Sequence, residues 1–170
     1  MNIVAEDVPT DIGGYQEDGQ KDKYLTFTLG EEIYGIPISS VTEIIGIQKI
    51  TSVPDMPEYV RGVINLRGQV IPLMDVRVRF CMPPREYDER TCVVVVQVKG
   101  VSIGLVVDTV NEVSNIPEEE RSDPPRIASG TASRYIEGMG RSDDQVKILL
   151  SVDKLLFNEE LKELGEMVES

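Results

Sequence analysis

Thirty acidic side chains are the commonest chemically competent groups in this 170-residue sequence, and histidine is absent altogether. Without histidine, the usual general base, the imidazole of a hydrolytic triad and the common phosphoacceptor are all missing. The two cysteines, Cys81 and Cys92, have no further Cys or His with which to complete a zinc site. In a chain of this kind they are expected to be free thiols. Cys92 opens a valine run and reads as a small core hydrophobe, whereas Cys81, beside Met82-Pro83-Pro84, can sit at the surface. Gly138-Met139-Gly140 is too short for a dinucleotide fingerprint and does not join a strand to a helix. Carboxylates alone leave a paired-acid hydrolase open, but no convergent pair is visible. The acids are concentrated elsewhere. Residues 1–23 and residues 153–170 each hold six acids against two lysines, and runs such as Glu118-Glu119-Glu120 read as solvated loops. Asp108, after an apolar run, reads as a turn former, and Asp75 as a cap for the segment Val76 to Phe80.

Against this acidic background the stretch Arg61 to Phe80 stands out. It contains Arg61, Arg67, Arg77 and Arg79 and one acid, Asp75. The residues allow two readings. The arginines can be solubilising groups on a hairpin, or they can form a local basic patch suited to an acidic protein surface. An arginine at a tight turn stands clear of the sheet, and its planar fork can hold a carboxylate at two points. The net charge of −13 disfavours nucleic acid and anionic lipid as partners. No window approaches eighteen unbroken apolar residues, so no membrane insertion is expected. The start, Met1 to Asp7, lacks a basic region followed by an apolar one, so a cytoplasmic location is expected.

The elements that must position these residues are strands. Residues 1–23 lack an apolar period and are expected to form a disordered acidic tail. From Tyr24, Leu25-Thr26-Phe27-Thr28-Leu29 alternates, Gly30-Glu31-Glu32 turns, and Ile33 to Ile36 returns as a hairpin. Val41 to Gly46 is a β-branched strand, and Pro57-Glu58-Tyr59-Val60 suggests one helical turn. Strands flank the Arg67-Gly68 turn, in which Gly68 takes a positive φ. Residues 82–90 read as an exposed loop. Cys92 to Val98 reads as a strand buried on both faces, followed by strands at 101–107 and 110–116. The charged stretch from Pro117 to Gly130 reads as loop, and strands at 135–139 and 145–152 end the barrel region. Asn158 caps an expected C-terminal helix over 159–170, with Leu161, Leu164 and Val168 on one face. Nine or ten short strands separated by glycine turns indicate an all-β fold rather than βαβ units.

The segment Arg61-Gly62-Val63-Ile64-Asn65-Leu66-Arg67-Gly68-Gln69-Val70-Ile71-Pro72-Leu73-Met74-Asp75-Val76-Arg77 closely resembles the signature stretch of CheW-type chemotaxis coupling proteins. Further matching segments occur in order at Phe27 to Ile36, Val41 to Ile44, Gly104 to Asp108 and Ile148 to Leu150. The resemblance covers about Tyr24 to Leu164. It implies two small five-stranded SH3-like β-barrels around a shared core over residues 24–158, with short helices besides the C-terminal one. It also implies no catalytic, cofactor or metal residues. The implied partners are the regulatory domain of the histidine kinase CheA and the cytoplasmic hairpin tip of methyl-accepting receptors, which places the protein at membrane receptor arrays. Arg67 matches a family position tied to coupling, with Arg61 and Asn65 in the same segment. Val41 and Glu43 match a second segment that contributes to partner binding, and Gly62 a backbone position sensitive to substitution. A CheV-like adaptor or the kinase's own regulatory domain would bring a phosphoreceiver or ATP-binding region, and neither is present in this sequence.

Overall fold

A computed structural model describes residues 21–124 and 134–155 of the chain. Alternating apolar residues and tight turns give eleven strands among the described residues. They are β1 (Lys23–Leu29), β2 (Glu32–Pro37), β3 (Val41–Gly46), β4 (Val60–Leu66), β5 (Gln69–Asp75), β6 (Cys92–Val98), β7 (Val101–Val107), β8 (Thr109–Asn115), β9 (Arg121–Ser122), β10 (Ile136–Ser142) and β11 (Gln145–Leu150). One short helix, α1 (Val76–Arg79), follows β5. The strands form a six-stranded sheet of order β8-β1-β2-β11-β10-β9 and a five-stranded sheet of order β3-β6-β7-β5-β4. The all-β, two-barrel expectation holds, with a two-residue sixth strand added by β9.

The chain changes sheet twice. It leaves the six-stranded sheet through a 3-10 turn at Ile38–Ser40 and returns at Asp108, between β7 and β8. The five-stranded sheet is thus an uninterrupted insertion within the six-stranded one. Parallel pairs, β2 with β11 and β5 with β7, join strands distant in sequence within each sheet.

The valine run of β6 shows why the sheets share a core. Successive side chains of a strand point to opposite faces. Val94 and Val96 enter the large cluster with Leu25, Phe27, Leu29 and Ile36 of the other sheet. Val93 and Val95 enter a second cluster with Ile64, Leu66, Ile71 and Leu73. All four valines are buried, and fully burying such a side chain contributes roughly 1.5–3 kcal/mol. Cys92 is buried and Cys81 exposed, and both are free thiols.

Some local expectations change. The expected tail over 1–23 gives way to β1 at Lys23. Pro57 to Val60 forms a hydrogen-bonded turn, the Val60 N–H donating to the Pro57 carbonyl at 2.9 Å, and the chain then enters β4 instead of continuing as helix. The stretch expected as loop after Pro117 contains a 3-10 turn at Glu118–Glu120 and then β9. The tail over residues 1–20 and the helix over 159–170, with Leu161, Leu164 and Val168, lie outside the described residues.

Candidate protein-interaction site

The β4–β5 hairpin presents Arg67 at its tip. Arg67 and Gly68 both take positive φ, 52° and 87°, the conformation of a two-residue turn that matches strand twist. The Asn65 side chain stabilises it, its Oδ1 accepting from the Gly68 N–H at 2.8 Å. Arginine tolerates left-handed backbone poorly, so this bond helps hold it there. The Arg67 side chain is 69% exposed, and its Nη2 pairs with Glu43 Oε2 on β3. β3 and β4 are the two outer strands of the five-stranded sheet. The pair therefore bridges the seam where the sheet curls on itself. Being exposed, it contributes only about 0–1 kcal/mol to stability. Its consequence is positional: a guanidinium with free donors held on the surface.

The remaining expected residues are placed differently. Val41 is 7% exposed and belongs to the shared core, so its side chain supports β3 from below. Arg61 is exposed and lies at the far end of β4, roughly 20 Å along the strand from Arg67. It sits in a bulge: Val60 pairs with Met74 and Gly62 with Leu73, so Arg61 is the extra residue. Gly62 has φ 139°, and a Cβ there would lie 2.2 Å from the Thr51 carbonyl oxygen. The absent side chain lets Thr51 and Val63 exchange two backbone hydrogen bonds of 2.8 Å across β4.

The four arginines do not form one patch. Arg77 is largely covered and forks onto Asp108, with Nε to Oδ1 at 2.7 Å and Nη2 to Oδ2 at 2.8 Å. Arg79 is buried, its Nε donating to the Leu155 carbonyl at 2.9 Å and its guanidinium carbon lying 4.2 Å from the Tyr59 ring centroid. Both belong to α1, which follows β5 directly and packs between the sheets. The basic surface reduces to Arg61 and Arg67.

Asp108 is more than a turn former. It also accepts from the Gly30 N–H at 2.8 Å and pairs with Arg85 Nη1 at 3.2 Å. Burial alone would raise its pKa. The Arg77 hydrogen bonds, the Gly30 N–H and the charges of Arg77 and Arg85 outweigh that and hold it below the usual carboxylate range. Reciprocally, the bond to Asp108 pushes Arg77 further up. Asp75 caps α1 as expected, its Oδ1 accepting from the Val78 N–H at 3.3 Å. Its Oδ2 accepts from the Tyr87 hydroxyl at 2.6 Å. Sequence reasoning missed Arg85 and Tyr87, because both lie in the loop over 82–90. An aromatic residue in a charged, proline-rich stretch was the one available signal.

The ionisable groups with well-defined partners thus fix turns, α1 and the connecting loop, while one arginine–glutamate pair is displayed at a sheet seam. Among the described residues, no group of three or more His, Cys, Asp or Glu could hold a metal ion, and no helix is long and apolar enough to cross a membrane. The described residues form a double-sheet β module that displays the Arg67–Glu43 pair at the outer strands of one sheet.

The chain belongs to the CheW-like family, since the family model described as CheW-like domain matches residues 23–160. It is 36% identical over 148 residues to the chemotaxis protein CheW of Klebsiella aerogenes, covering 87% of this chain and 89% of that protein. It is 31% identical over 147 residues to chemotaxis protein CheW of Treponema pallidum, covering 84% and 86%. The solved structure of the scaffolding protein TtCheW from Thermoanaerobacter tengcongensis is similar, with a TM-score of 0.75 and 33% identity over 82% of this chain and 94% of that one.

Proposed function

We propose that this protein is a non-enzymatic adaptor that couples methyl-accepting chemotaxis receptors to the histidine kinase CheA in cytoplasmic arrays beneath the membrane. The observation that carries this reading is the Arg67–Glu43 pair displayed across the β3/β4 seam of a chain that matches the CheW-like family over 23–160. Charged groups on a rim set partner choice and association rate more than affinity. Arg67 has donors beyond the one used by Glu43, so it can accept a carboxylate from a partner while remaining anchored. In this reading Arg67, Glu43 and Arg61 meet the partner, Asn65 holds the turn, and Val41 and Gly62 act through the backbone they support. Nucleic acid and lipid are not ligands, because the net charge of −13 repels phosphate.

Two partners need two faces, and two sheets on one rigid core provide them. A change in one partner is passed on only if its contacts differ between signalling states. The test is co-sedimentation of the purified protein with a CheA regulatory domain and a receptor cytoplasmic fragment, separately and together. The expected result is binding to each and a ternary complex. Binding to neither, with turnover of some substrate, overturns the proposal.

A further inference from the structure

The segment 117–124 lies along the outer edge of the six-stranded sheet as a strap. It begins directly after Ile116, which is fully buried in a cluster with Tyr24 and Leu149 and donates its N–H to the Asp22 carbonyl at 2.8 Å. None of residues 117–124 is itself buried, so apolar burial contributes little to holding the strap. Its one piece of sheet, β9, meets β10 at only two positions, Ser122 with Met139 and Arg121 with Gly140. The Gly138-Met139-Gly140 run, idle as a nucleotide motif, gives the strap its seat. A Cβ on Gly138 would lie 2.7 Å from the Ser122 carbonyl oxygen, and one on Gly140 would lie 3.0 Å from Ile116 Cγ2.

Arg121 supplies the remaining tie. Its Nη1 donates to the Tyr24 hydroxyl at 2.9 Å and its Nη2 to Asp22 Oδ1 at 3.1 Å. β9 is one outer strand of the sheet, and β1 lies next to the other, so this fork joins the two ends of the sheet. The fork is incomplete, because Arg121 Nε is buried without a hydrogen-bond partner. A buried donor left unmet disfavours the closed arrangement, and water satisfies it once the strap lifts. Beside the strap is a cleft of about 500 Å³ whose lining includes Tyr24, Gly138 and Leu149.

We propose that residues 117–124 form a strap that lifts from β10 as a unit, hinged after Ile116, and that Arg121 is the latch that keeps it down. Two-position pairing and the unmet Nε–H make the strap releasable, while the glycine seat and the Arg121 fork return it. In the lifted state the edge of β10 is bare at Met139 and Gly140, and the cleft over Tyr24 and Leu149 is open. The five-stranded sheet takes no part. The device is independent of the adaptor reading above.

The experiment is amide hydrogen exchange on the full chain, read residue by residue by NMR. In the wild type, exchange over 117–124 and at the β9-facing amides of β10 is expected to be insensitive to low urea, since a local lift exposes little surface, whereas β6 and β7 are expected to speed up with urea. Arg121→Met keeps an unbranched apolar stem and removes every donor. It is expected to speed exchange over 117–124 and at those β10 amides about tenfold and to leave β6 and β7 unchanged. Tyr24→Phe removes one of the two bonds, for about threefold, and is expected to add nothing in the Arg121→Met background. Gly138→Ala leaves the latch intact but spoils the seat, and is expected to speed the same amides. Unchanged exchange in Arg121→Met, or a Tyr24→Phe effect that persists in its background, overturns the latch. Faster exchange in β6 and β7 as well, or a wild-type urea dependence shared by both sheets, overturns the local lift. Unchanged exchange in Gly138→Ala overturns the seat.

Discussion

Replacing Asp108 by alanine removes the one carboxylate that joins the β1–β2 turn, α1 and the 82–90 loop at the point where the chain passes between sheets. Three groups lose a partner: the Arg77 fork, which keeps only the Pro83 carbonyl, the Gly30 N–H, and Arg85, which keeps Asp88. Arg85 is 43% exposed and rehydrates at little cost, whereas Arg77 is 14% exposed and cannot leave freely. Stranding a fully buried charge costs about 3–5 kcal/mol, and an unsatisfied buried N–H about 1–3 kcal/mol. These terms overlap and water reaches Arg77 in part, so about 3–4 kcal/mol is expected. That is a large fraction of the roughly 5–15 kcal/mol that holds a domain together, and corresponds to a fall in Tm of about 6–16 °C for a chain of this size. Asp108→Asn, which keeps an acceptor for Gly30, is expected to lose about 2 kcal/mol. The assay is urea denaturation of wild type and both variants across pH. The folded-state pKa of Asp108 is depressed, so its stabilisation is fully present above the unfolded value of about 4 and is lost as pH falls through the folded value. The gap between wild type and Asp108→Asn is therefore expected to be full at pH 7 and to narrow below about pH 4. A loss under about 1 kcal/mol for Asp108→Ala at pH 7, or a gap that does not change with acid, would refute the argument.

Gly62→Ala places a Cβ 2.2 Å from the Thr51 carbonyl oxygen at a φ of 139°, and is expected to cost about 2–4 kcal/mol by denaturation as the Thr51–Val63 bonds break. Arg67→Glu removes a surface pair and sets Glu43 beside a like charge, so stability is expected to move by less than about 1 kcal/mol while ternary assembly falls sharply in co-sedimentation. Deleting residues 1–20, which precede the family-matched span, is expected to leave both binary affinities unchanged by titration. Lys147 is 2% exposed, and its Nζ donates to the Ser142 carbonyl at 3.4 Å, so Lys147→Met is expected to raise stability by about 1 kcal/mol in the same denaturation assay.

The alternation of Leu25 to Leu29, the β-branched run of β6 and the turn at Arg67-Gly68 were legible as strands and hairpins, because period and turn chemistry are local properties of the chain. So was the cap at Asp75, whose acceptor lies three residues from its donor. The motif around Asn65-Leu66-Arg67-Gly68 was sufficient to suggest the family, which the match over 23–160 shows. Which arginines reach solvent was not legible. Arg77 and Arg79 look like Arg61 and Arg67 in sequence, yet α1 turns them inward to Asp108 and to Tyr59, partners 31 and 20 positions away. Nor could spacing reveal that Val41 faces the core while Glu43 faces Arg67, since a bulge between them shifts the register. The sharing of one core by two sheets, with 41–107 inserted whole, was likewise decided only in three dimensions. Local sequence sets how a strand or turn is made. The burial of a charge depends on which distant carboxylate or ring the packed sheets bring to it, and that is a property of the tertiary fold alone.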